Sequence, residues 1–146
     1  MLMKKILLAE DNPFDLELAL AGLAEYRLTN EVVVARDGVE VLDYLKSRGR
    51  FADRPPGSPM VILLDIKMPK IDGLEVLRQI RRDPELRLIP IVILTSSREE
   101  QDLIESYNLG VNAYVVKPVA FEKFVEVVKQ IGLFWVLTNE VPAHYA

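Results

Sequence analysis

Met60-Val61-Ile62-Leu63-Leu64-Asp65 sets five apolar residues in a row and then an acid. A run without polar alternation is covered on both faces, as the strands of a parallel sheet are. Such sheets keep their chemistry just beyond the carboxyl ends of their strands, so Asp65 stands where a ligand would bind. Alone, an Asp at this place more often caps a following turn, and its meaning depends on the segments around it.

Three other apolar runs end in polar groups. Lys4-Lys5-Ile6-Leu7-Leu8-Ala9 ends in Glu10-Asp11-Asn12-Pro13, Ile91-Val92-Ile93-Leu94 in Thr95-Ser96-Ser97, and Ala113-Tyr114-Val115-Val116 in Lys117-Pro118. Val32-Val33-Val34-Ala35 reads as one more strand. Segments of helical period lie between these runs. Asn12 is a cap with Pro13 in the first turn, and Leu16, Leu20, Leu23 and Ala24 fall on one face. Asp37-Gly38 opens a helix with Val41, Leu42 and Leu45 inward, and the stretch from Gly49 to Pro59 is a loop. A third helix runs from Gly73 to Arg82 with Leu74, Leu77 and Ile80 inward. Ser97-Arg98-Glu99-Glu100 matches a capping box before Leu103, Ile104 and Tyr107, with Gly110 as the stop. A last helix follows Pro118.

The order β-α repeated five times implies an α/β fold with a parallel sheet, right-handed crossovers and helices on both faces. For five strands the flavodoxin-like doubly wound order 2-1-3-4-5 is expected, and its switch point lies between the first and third strands. That topology brings Glu10, Asp11 and Asp65 together. The 146 residues suit one domain with one core, expected over residues 1–136 with a tail at 137–146. The absence of cysteine excludes disulfides and thiolate metal sites and favours a cytoplasmic protein. The apolar run after Lys4-Lys5 is too short for a membrane span or a signal segment. A net charge of −4 argues against a nucleic-acid partner held through phosphates. His144 is the only histidine, which excludes a histidine-built zinc site.

Three carboxylates at close range repel one another and take up protons unless a cation sits among them. Oxygen ligands without His or Cys select a hard cation, and a small open set that keeps several waters suits Mg²⁺ better than Ca²⁺. The remaining groups fit the other sides of a phosphoryl group, with Lys117 as a point charge and Thr95 as a hydroxyl donor. Asp65 is then available as a nucleophile, since carboxylates form covalent aspartyl phosphates.

With these residues assembled, the chain resembles response-regulator receiver domains over nearly its whole length. The resemblance is carried by Glu10-Asp11, by Asp65-Ile66-Lys67-Met68-Pro69-Lys70-Ile71-Asp72-Gly73, by Thr95-Ser96, and by Tyr114 three residues before Lys117-Pro118. It implies that Asp65 accepts a phosphoryl group from a phosphohistidine on a sensor kinase. Mg²⁺, with Mn²⁺ as an acceptable substitute, is then bound by Glu10, Asp11, Asp65 and the backbone carbonyl of Lys67. The resemblance further assigns Thr95, Ser96, Tyr114 and Lys117 to binding the phosphoryl group and switching, and makes the peptide before Pro118 cis. A narrower similarity, in Ser106-Tyr107-Asn108-Leu109-Gly110-Val111-Asn112-Ala113-Tyr114 with Phe134-Trp135, is to single-domain regulators of bacterial and cyanobacterial phytochrome kinases.

Lys67 places a cation two residues after the acceptor, where many receivers carry a small polar residue; its side chain is expected to point away or to tune phosphoryl lifetime. Phe121, Phe124, Val125, Val128 and Ile131 form an apolar stripe on the last helix, with Val127, Phe134 and Trp135 on or beyond its margin. Together with Tyr107, these three marginal residues make a candidate homodimer face built from the fourth helix, fifth strand and last helix. Two other functions fit less well. A flavodoxin-type carrier needs a phosphate-gripping loop after strand one, and Glu10-Asp11-Asn12-Pro13-Phe14-Asp15 is acidic instead. An aspartyl-phosphate phosphohydrolase needs a second acid two residues after the nucleophile, where Lys67 stands. The expected role is therefore that of a signalling phosphoprotein rather than an enzyme acting on outside substrates, with output through protein contacts.

Overall fold

Each apolar run forms a strand, and each strand end carries the polar group that follows it. In the computed structural model the described residues are 5–25, 32–96 and 99–117, together with Glu126. The elements are β1 (Ile6–Ala9), α1 (Pro13–Glu25), β2 (Val32–Ala35), α2 (Gly38–Leu45), a single 3₁₀ turn (Gly49–Phe51), β3 (Val61–Leu64), α3 (Gly73–Arg82), β4 (Ile91–Thr95), α4 (Glu100–Asn108) and β5 (Ala113–Val116). All strand pairs are parallel and the sheet order is β2-β1-β3-β4-β5, as the alternation of strand and helix implied.

Alternate strand residues face two separate apolar layers. Leu7, Ala9, Ile62, Leu64, Ile91 and Ile93 pack with Val41, Leu42, Tyr44 and Leu45 of α2 and with Leu74, Val76, Leu77 and Ile80 of α3. Ile6, Leu8, Val61, Leu63, Val92 and Leu94 face the other way, onto Leu23, Leu16, Ala19 and Leu20 of α1. Both faces of β1, β3 and β4 are thus covered, which explains their unbroken apolar sequences. Each large side chain buried this way contributes roughly 1.5–3 kcal/mol.

Three local expectations are corrected. Ala24 is exposed, because it lies one position past the i, i+3, i+4, i+7 stripe of Leu16, Ala19, Leu20 and Leu23. The stretch after Gly49 is not wholly irregular, since Gly49–Phe51 makes a 3₁₀ turn whose Phe51 ring meets Tyr44 edge-on at 5.1 Å. α4 begins at Glu100 with Glu99 at its cap position and no side-chain capping bond, two residues later than a capping box at Ser97 requires. Ser97, Pro118, Phe121, Phe124, Val125, Val127, Val128, Ile131, Phe134, Trp135 and the stretch 137–146 lie outside the described residues. Among the described residues no helix is long and apolar enough to cross a membrane.

Candidate functional site

The ladder hydrogen bonds continue one step past the strands and so place the polar groups. Glu10 N–H donates to the Ala35 carbonyl (3.0 Å), Asp65 N–H to the Ala9 carbonyl (3.2 Å) and Lys117 N–H to the Thr95 carbonyl (2.7 Å). Residues from four strand ends are thereby brought to one edge of the sheet. Glu10, Asp11 and Asp65 offer carboxylate oxygens that all lie within 4.8 Å of one another.

Lys117 reaches into this group. Its Nζ donates to Glu10 Oε1, to Asp15 Oδ2 (3.0 Å) and to Asp65 Oδ2 (3.3 Å). The other Asp65 oxygen, Oδ1, accepts the Lys67 N–H at 3.2 Å. Asp65 and Glu10 are buried, while Asp11 faces the solvent side. Burial pushes the Glu10 carboxyl up to about 7, with the Asp65 charge adding to the shift and the Lys117 hydrogen bond opposing it. The Lys117 ammonium is held up to about 12, because its bonds to Glu10 and Asp15 and the Asp65 charge outweigh the burial that alone would lower it. Crowded, partly desolvated carboxylates with one cation among them are the donor set a hard divalent ion relieves, and the residues present fit such an ion.

The loop after Asp65 is fixed by close backbone approach. Gly73 N–H donates to the Ile66 carbonyl (2.8 Å), and a Cβ on Gly73 would lie 2.2 Å from the Asp65 carbonyl oxygen and 2.7 Å from Ile66 Cα. Asp72 caps α3 through the Glu75 N–H at 2.9 Å. The Lys67 side chain points away from the acids towards α4, with its ammonium 3.7 Å from Asp102 and 4.0 Å from Glu99. Thr95 ends β4 fully buried, Ser96 is exposed beside it, and Tyr114 on β5 packs half-buried against the layer that holds α2 and α3. Tyr107 on α4 is 53% exposed, and Leu103 on the same helix is exposed to 37%.

Asp15 belongs to this arrangement although its sequence position did not single it out. Asn12 Oδ1 accepts the N–H groups of Phe14 (2.9 Å) and Asp15 (3.0 Å), which starts α1 and sets Asp15 in its first turn, facing Lys117. An acid there already has a local reason, the helix macrodipole. That reason hides the contact with Lys117, and only the crowding of Glu10, Asp11 and Asp15 in so short a stretch of sequence hints at it.

Comparison with known proteins agrees with this geometry. The model of the response regulator receiver domain matches residues 6–129. The response regulator Rcp1 of Synechocystis sp. is 39% identical over 140 residues, 96% of this chain and 94% of its own. The crystal structure of its Mn²⁺-bound form aligns with a TM-score of 0.75 at 37% identity, covering 91% of this chain and 94% of that one. The bacteriophytochrome response regulator AtBRR is 58% identical with a TM-score of 0.80, over 92% of this chain and 96% of its own. The phosphorylated cyanobacterial phytochrome response regulator RcpA is 42% identical with a TM-score of 0.79, over 94% and 96% respectively.

Proposed function

The chain belongs to the response regulator receiver family, matched over residues 6–129, and from that premise we propose that it is a two-component phosphorylation switch whose phosphoacceptor is Asp65. An Asp65 carboxylate oxygen attacks the phosphorus of a phosphohistidine on a sensor kinase. The O–P bond forms as the N–P bond breaks, and the histidine nitrogen leaves with the electron pair. Glu10, Asp11, Asp65 and the Lys67 backbone carbonyl hold Mg²⁺, which when bound supplies positive charge against the phosphoryl oxygens. Lys117 donates to one phosphoryl oxygen, and the hydroxyls of Thr95 and Ser96 serve another. Tyr114 changes rotamer in response, and the peptide before Pro118 is cis. The chemistry is limited to the protein's own phosphorylation and dephosphorylation.

The observation that carries this reading is Lys117, from the end of β5, bonded to both Glu10 and Asp65 at the ends of β1 and β3. The likeness to AtBRR and RcpA supports a phytochrome-type histidine kinase as the partner. The functional unit is a cytoplasmic receiver spanning residues 1–136 with a tail at 137–146, acting without nucleic acid or membrane. It forms a homodimer through α4, β5 and the segment beyond Pro118, using Tyr107, Val127, Phe134 and Trp135; the exposure of Tyr107 supports this face.

Incubation with Mg²⁺ and acetyl phosphate, followed by intact mass, tests the central step. One added phosphate is expected on the parent chain and none on Asp65→Asn. Absence from the parent, or persistence in the variant, overturns the assignment. Phosphotransfer from an autophosphorylated phytochrome kinase tests the partner, and sedimentation with and without a phosphoryl mimic tests the dimer.

A further inference from the structure

We propose that Asp15 is a positioning residue that keeps the Lys117 ammonium over Asp65 during phosphoryl transfer. The inference rests on the function proposed above and adds a residue to it. A lysine ammonium has three donors, and Lys117 directs them to Glu10, Asp15 (3.0 Å) and Asp65 (3.3 Å). Two of these acceptors are committed elsewhere when the site works. Glu10 and Asp65 belong to the group of oxygens lying within 4.8 Å of one another, so a divalent ion draws on them, and an Asp65 oxygen is consumed in the new O–P bond.

Asp15 lies outside that group. Its backbone is fixed by the start of α1, where its N–H donates to Asn12 Oδ1 at 3.0 Å. Its Oδ2 is therefore the acceptor that stays in place while the others change partners. Lysine is a point charge on a flexible four-carbon stem, and an ammonium that loses two of three acceptors swings toward water unless the third holds it. Held by Asp15, Lys117 passes one donor from Asp65 Oδ2 to an incoming phosphoryl oxygen. The donor's P–O bond breaks as the Asp65 O–P bond forms, and acetate leaves with the electron pair.

Long-range electrostatics alone predicts the opposite outcome. Removing an acid beside a site that receives an anionic donor reduces repulsion and should speed the reaction. The test is therefore the limiting rate of phosphate gain by the full chain with acetyl phosphate and Mg²⁺, followed by intact mass. Asp15→Ala is expected to lower that rate by about tenfold or more, with the half-saturating Mg²⁺ concentration moving less than about twofold. Asp15→Asn, which retains an acceptor oxygen, is expected to recover part of the loss. In a Lys117→Ala background, Asp15→Ala should add less than about twofold, because the two act as a unit.

Equal or faster phosphorylation of Asp15→Ala overturns the proposal, as does the full loss in the absence of Lys117. If Asp15→Ala fails to fold, Asp15→Asn in both backgrounds decides by the same comparison. A parent chain that takes up no phosphate defeats the proposed function and this role with it. A parent that phosphorylates normally while the Asp15 variants match it defeats the positioning role alone.

Discussion

Ser106 Oγ, fully buried on α4, has no hydrogen-bond partner among the described residues. A buried hydroxyl left unpaired costs about 1–3 kcal/mol in lost hydration, and removing it leaves a void no larger than one oxygen. The saving exceeds the packing loss, so Ser106→Ala is expected to raise stability by about 1 kcal/mol, read as a higher urea midpoint at unchanged slope. Gly73 tests the opposite sign. Alanine is ordinarily better than glycine in a helix by about 0.5–1 kcal/mol, but here its Cβ would meet the Asp65 carbonyl oxygen at 2.2 Å. That contact is with backbone and cannot turn aside, so overpacking of roughly 1–3 kcal/mol wins. Gly73→Ala should therefore lower the urea midpoint and slow phosphate gain at Asp65, because the carbonyl that must yield belongs to the proposed acceptor residue itself. A variant as stable and as quickly phosphorylated as the parent would show that the loop accommodates the methyl group.

Among the elements, the start of α2 is tied to the loop between β3 and α3. Asp37 caps α2 through the Glu40 N–H at 2.8 Å and pairs with Lys70 at 3.1 Å, where Lys70 takes a φ of 69°. Burial works to raise the Asp37 carboxyl, but the Glu40 N–H, the Lys70 ammonium and the Val39 N–H together hold it below its ordinary 3.8. A depressed folded value means stability that is present above the unfolded value and lost as pH falls through the folded one. Asp37→Asn keeps the cap oxygen and removes the charge. It should be less stable than the parent at pH 7, with the gap closing as pH falls below about 4; paired urea titrations at neutral and acid pH measure it, and a constant gap would refute the linkage. Elements such as α3 were legible in the sequence down to their ends, because Asp72-Gly73 and the spacing of Leu74, Leu77 and Ile80 agree with each other. The start of α4 was not, since Ser97 and Glu100 satisfy a capping box while Glu99 takes the cap position. Lys67 shows a further limit. Its distance from Asp65 along the chain was plain, but its direction is set by Asp102, a residue of α4 that only the folded chain brings near.

At the scale of the molecule, the two ends of the sheet are built differently. At the end away from the acids, the Arg81 guanidinium binds the carbonyls of Leu109 (2.7 Å), Arg87 (2.7 Å), Ile89 (2.9 Å) and Gly110 (2.9 Å), knitting α3 to the connections that lead into β4 and β5. At the other end, burial and the Asp65 charge work against an ionised Glu10, and Lys117 is the cation that opposes them. Opposing charges there make the acid end the place where ligand energy enters the fold. A divalent ion that binds the native acids and not the dispersed ones of the unfolded chain stabilises by RT ln(1 + [L]/Kd), about 2.7 kcal/mol at a hundred times Kd. For a chain of this length that amounts to a rise in thermal midpoint of about 8 °C. Asp11 is the site's solvent-facing acid, so Asp11→Ala should leave the metal-free midpoint nearly unchanged while most of the Mg²⁺-induced rise disappears. Thermal scans of both chains with Mg²⁺ and with a matched ionic strength of K⁺ separate site binding from general screening. An equal rise with K⁺ would mean that screening alone relieves the carboxylates, and an undiminished Mg²⁺ rise in Asp11→Ala would mean that the ion stabilises the fold without Asp11.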